Sequence, residues 1–118
     1  MDVKATLSQW ALIELCTSAG DAAELVVYGI PSKAPDEFVL TSAVDLIEQE
    51  GDDSAFVTTQ NSLYRVVGPG RHYQLPLMAL PLLREGQDPG EIAKRYGRED
   101  RKPGYVKRAL EQRKRLKF

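Results

Sequence analysis

The sequence predicts an α+β protein: an N-terminal antiparallel β-meander of four to five strands, followed by two or three C-terminal helices. Three observations carry this prediction. Runs of β-branched and aromatic residues, separated by turn residues, occupy positions 8–68. After position 75, apolar residues recur at helical spacing between Pro starts and Gly stops. The charge also changes sign near position 91, within the helical basic region (75–118) that follows a β region (1–74) in one compact domain.

Taken in order, residues 10–17 fit two periods. Leu7, Trp10, Ala11 and Leu15 would share a helix face, whereas Trp10, Leu12 and Cys16 would share a strand face. The Ser18-Ala19-Gly20-Asp21 break and the strand-favouring Val26, Val27, Tyr28 and Ile30 favour a hairpin, whose second strand ends at Gly29 and Pro31. A loop at Pro35 precedes "FVLTSAVDLIEQE", where Phe38, Leu40, Val44 and Leu46 share one parity and predict a half-buried strand ending at Gly51. A helix over 42–50 is the competing reading. "GDDS" is a turn. Then "AFVTTQNSLYRVVG" reads as two strands about Gln60-Asn61-Ser62, with Asn61 expected to take the left-handed conformation of a tight hairpin.

"GPGRHYQLP" reads as a connector. In "PLMALPLLREG", Pro81 breaks or starts a helix and Gly86 caps it. "DPGEIAKRYG" supplies Asp88 as N-cap, Pro89 at the first helical position, an apolar face of Ile92, Ala93 and Tyr96, and Gly97 after the end. A last helix opens at Pro103, with Tyr105, Val106, Ala109, Leu110 and Leu116 at helical spacing. A small sheet with one apolar face needs a cover, and these helices are expected to provide it.

The composition, 42% apolar and 28% charged, is that of a folded globular chain. No apolar run approaches the ~20 residues of a membrane helix, and "MDVKATLSQW" has no leader-like pattern. A single cysteine, Cys16, rules out an internal disulfide and fits a reducing cytoplasm. The net charge of −1 conceals a polarity. Residues 1–90 carry 5 Lys/Arg against 13 Asp/Glu, or −8, and residues 91–118 carry 11 against 4, or +7. Such a chain either meets an anionic partner at its basic end, associates head to tail, or compensates its own charges.

Two stretches resemble known patterns. Residues 83–110, "LLREGQDPGEIAKRYG" followed by "YVKRAL", resemble a helix-turn-helix module, with Ile92, Ala93, Val106 and Leu110 inward and Gly97 at the turn. That resemblance implies DNA recognition by outward cations. Residues 38–68 resemble a strand pattern of small uncharacterised phage and prophage proteins, matched at Thr41, Ser42, Ser62 and Tyr64. This implies a small β domain of mobile-element origin and no activity.

The expected function is therefore that of a non-enzymatic phage or mobile-element regulatory protein. It would bind DNA or RNA through Lys94, Arg95, Arg98, Arg101, Lys102, Lys107, Arg108 and Arg113. The alternative is a protein-interaction module, such as a phage inhibitor of a host enzyme or defence system, and a homodimer is compatible with either. Catalytic signals are sparse. His72 is the only histidine and cannot form a zinc set with Cys16 alone. A Cys16 nucleophile with a His72 base is the sole nucleophilic pairing the sequence offers. "GPGR" lacks the spacing of a phosphate loop, and Asp45, Glu48, Glu50, Asp52 and Asp53 are not in the order of a calcium loop. No cofactor or metal is expected.

Overall fold

The computed structural model describes residues 2–99. They form eight strands, a short 3₁₀ turn and two short helices: β1 (Val3–Cys16), β2 (Ala22–Pro31), β3 (Val39–Leu40), β4 (Val44–Gly51), β5 (Ser54–Thr59), β6 (Leu63–Val67), β7 (Arg71–Pro76), the 3₁₀ turn (Leu77–Ala79), α1 (Leu80–Arg84), α2 (Pro89–Tyr96) and β8 (Arg98–Glu99). This corrects the expected architecture. The protein is mostly β, in one mixed sheet, and the described helices are two short segments instead of a substantial helical half. Residues 71–76, expected to be a connector, are a strand, and the chain after α2 returns to the sheet as β8.

The sheet runs β3-β2-β1-β6-β5-β4, with β7 and β8 as a branch beside β1. Its two ends, β3 and β4, are separated in the chain only by residues 41–43, so the sheet rolls closed. The pairs β1/β2, β2/β3, β4/β5 and β5/β6 are antiparallel, and β1/β6 is parallel. The parallel pair follows from counting. If β3 and β4 are taken as one interrupted strand, five strands alternate in direction, and the four reversals between them bring first and last together in the same sense. Thr41 fastens the seam: its N–H donates to the Val27 carbonyl and its Oγ1 accepts from the Val27 N–H, both at 2.9 Å.

Strand β1 serves two sub-sheets because it bends. Its first half pairs with β6 and its second half, from Ala11, with β7. Between them Gln9 has φ 47°, which makes it the only non-glycine in the left-handed region among the described residues. Trp10 occupies the bend. Its Nε1–H donates to the Gly68 carbonyl at 3.0 Å, and its indole lies against Gly70, where any Cβ would clash.

The second half of β1 is buried on both faces. Leu12 joins Leu25, Val27, Val57 and Val66 inside the barrel. Ala11, Ile13 and Leu15 join Val26, Tyr73, Leu75, Leu83 and Ile92 beneath the helices. Two-sided burial removes the alternation a sequence reading depends on, which is why residues 10–17 fitted two periods. In β4 a register break between Val44 and Leu46 changes parity. Ile47 is therefore buried and Leu46 exposed, contrary to the expected face. The hairpin at Gln60, Asn61 and Ser62 closes through the Thr59 N–H to the Ser62 carbonyl, without a left-handed residue at Asn61.

Candidate nucleic-acid interface

The first predicted contacts lie on α2. Its start follows from sequence chemistry: the Asp88 carboxylate accepts from the Glu91 N–H at 3.2 Å, and Pro89 occupies the first turn. Ile92 and Ala93 are buried against the sheet, which turns Lys94, Arg95 and Tyr96 outward. Tyr96, expected on the apolar face, is instead 57% exposed. Lys94 contacts Glu91 at 3.2 Å on its own helix, with both side chains largely in water, so the pair holds Lys94 weakly. Arg95 has no ion pair among the described residues, and no barrel carboxylate reaches Lys94 or Arg95. Both cations sit in the last turn, where the helix dipole favours positive charge.

Arg98 continues the series on β8, whose backbone pairs with Gln74 of β7. The structure thus brings Lys94, Arg95 and Arg98 within one short stretch at the β7 edge. Arg101, Lys102, Lys107, Arg108 and Arg113, with the second half of the helix-turn-helix resemblance, lie outside the described residues.

Beside α2 is an open cleft of about 320 Å³, lined by Arg71, Tyr73, Asp88, Gly90, Glu91, Ala93 and Lys94. Arg71 falls in the stretch expected to be a connector. Here it ties three elements together. Its guanidinium donates to the Gln9 carbonyl (3.0 Å) and the Tyr73 hydroxyl (3.2 Å), lies 5.5 Å from the Tyr73 ring centre, and approaches Asp88 at 3.7 Å. Two cations and two carboxylates line the cleft, so its charge is internally balanced. Nearby, burial and the Asp88 charge push the Tyr28 hydroxyl above its ordinary pKa.

A second polar group is almost fully buried. Glu14 and His72 are 2% and 0% exposed, with Oε1 to Nε2 at 3.0 Å, and Gln74 Nε2–H donates to the other Glu14 oxygen at 3.0 Å. They share one face of adjacent strands, since Leu12 pairs with His72 and Glu14 with Gln74. No local signal marked Glu14, because its partners come from a strand some 60 residues away. Cys16 pairs in register with Pro76. It is four residues along the strand from the His72 partner, or ~13 Å, so the pairing of a Cys16 nucleophile with a His72 base is not assembled. Among the described residues no group of three His, Cys, Asp or Glu side chains could hold a metal ion, and no helix is long and apolar enough to cross a membrane.

The acidic half of the polarity lies on the barrel. Asp45, Glu48, Glu50, Asp52 and Asp53 are exposed along β4 and its turn. Glu50 is bound by Arg65 at 2.8 Å and by the Ser54 hydroxyl at 2.8 Å, and these hydrogen bonds hold its carboxyl below the usual range. Comparison with protein-family models, curated proteins and solved structures finds no match.

Proposed function

We propose that this chain is a non-enzymatic regulatory protein of a phage or other mobile element that binds nucleic acid. The contacts are phosphates, met by Lys94, Arg95, Arg98, Arg101, Lys102, Lys107, Arg108 and Arg113. One observation carries the reading. The cations begin on an outward helical turn that pairs with no barrel carboxylate among the described residues, and nine more follow it, so that residues 91–118 reach +7. Phosphate binding by such a segment is sequence-tolerant and releases counterions. The mobile-element setting rests on the resemblance of residues 38–68 alone.

Titration of duplex DNA at two salt concentrations tests it. Affinity should fall steeply between about 50 and 200 mM salt, and Lys94→Ala with Arg95→Ala should flatten the salt slope by roughly two contacts. An affinity indifferent to salt, or no binding at the lower concentration, defeats the proposal. Competition with single-stranded RNA separates the two polymers.

The separated charge also favours a second reading, a protein-interaction module such as an inhibitor of a host enzyme or defence system. Here the acidic β4 surface would meet a basic partner. Capture of a host protein that survives nuclease treatment, and is lost on Glu48→Lys, distinguishes it from the first.

A further inference from the structure

The barrel's outer surface carries a stripe of three apolar residues and one threonine. Strand register aligns Leu46 with Thr58, Thr58 with Leu63, and Leu63 with Val3. The row therefore crosses β4, β5, β6 and β1 in sequence and spans ~14 Å at the usual strand spacing. Val3 is 41% exposed and Leu46 38%, and Thr58 and Leu63 are half-buried between them. The stripe ends in opposite charges. Glu48 is exposed one row along on β4, and Lys4 is exposed beside Val3 at the β1 bulge. Neither has an ion pair among the described residues.

We infer that this face docks a second copy of the chain, packed face to face about a two-fold axis. With the axis along the strands between β5 and β6, the row maps onto itself: Leu46 lies over the partner copy's β1 end and Thr58 over its β6. The same rotation sets the Glu48 of each copy above the Lys4 end of the other. With Glu48 at one edge and Lys4 at the other, each side chain meets its opposite when the face is turned over, the condition for an isologous contact. The contact is small, so the dimer is concentration-dependent. It is independent of nucleic-acid binding.

Sedimentation of the full chain from about 10 μM to 1 mM, in about 50 mM salt, reads this directly. The mass should rise from the 13.2 kDa of one chain toward twice that value. Leu46→Lys should weaken dimerisation about tenfold or more. Glu48→Lys and Lys4→Glu should each weaken it, and the two together should restore it. Circular dichroism checks that each variant is folded, which is expected because the three side chains are exposed. A chain that remains monomeric across the range overturns the inference. So does a dimer that the single substitutions leave unchanged, or a charge swap that fails to restore association.

Discussion

At the scale of single residues, two contacts fix the barrel's least regular region. Gly70 is set by close approach, since the Trp10 indole occupies the space a Cβ would need. Gly70→Ala should cost about 1–3 kcal/mol, read from a denaturant melt, because the indole is also tied to the Gly68 carbonyl and cannot simply turn away. Glu50 offers a pH signature. Its folded-state pKa is lowered by Arg65 and Ser54, so the stability it confers is present above its unfolded value, ~4.3, and is lost as pH falls through the folded value. Glu50→Gln should therefore destabilise at pH 7, and the gap to the parent should close as the melt is repeated below about pH 4. A gap that stays constant with pH would assign the effect to packing instead. The residues legible in advance were those with local chemistry. Asp88 could be recognised as a cap and Gly86 as a helix stop at φ 91°. Arg71 and Glu14 were not legible, because each acts on residues about 60 positions away.

At the scale of elements, turns and caps were readable and strand partners were not. The Asp88 cap orients α2, and through α2 it positions Lys94 and Arg95. Asp88→Ala should cost about 1 kcal/mol from the lost cap. It also removes the carboxylate facing Arg71, so helical content and the Arg71 contact should loosen together, as hydrogen exchange at the Glu91 and Ile92 amides would show. Strand β4 shows why alternation alone misleads. One register break moved Leu46 outward and Ile47 inward, and no residue type in "SAVDLIEQ" announces it. Strand β7 was overlooked for a related reason. "RHYQLP" mixes charged, aromatic and proline residues, and its bonds to β1, distant in the chain, and to β8 make it a strand.

At the scale of the whole molecule, closure is decided at the seam. Thr41 is 4% exposed and is the only residue whose side chain and backbone both bond to Val27 among the described hydrogen bonds. Thr41→Val keeps the shape but leaves the buried Val27 N–H without its acceptor. It should cost about 1–3 kcal/mol in an equilibrium melt, whereas Ser42→Ala, at an exposed neighbour, should be near neutral.

The sequence by itself determined the strand-rich character of residues 8–68, the turns that punctuate it, the start and stop of α2, and the opposition of an acidic body to a cationic end. Those are local properties, written in residue type, short-range spacing and summed charge. The tertiary structure alone decided that the strands close into a barrel, that β1 bends to serve two sub-sheets, and that β7 and β8 extend the sheet where a connector and a turn were expected. Each of these depends on hydrogen bonds between distant segments. A strand's own sequence fixes which of its faces are apolar, but leaves open which backbone edge it will meet.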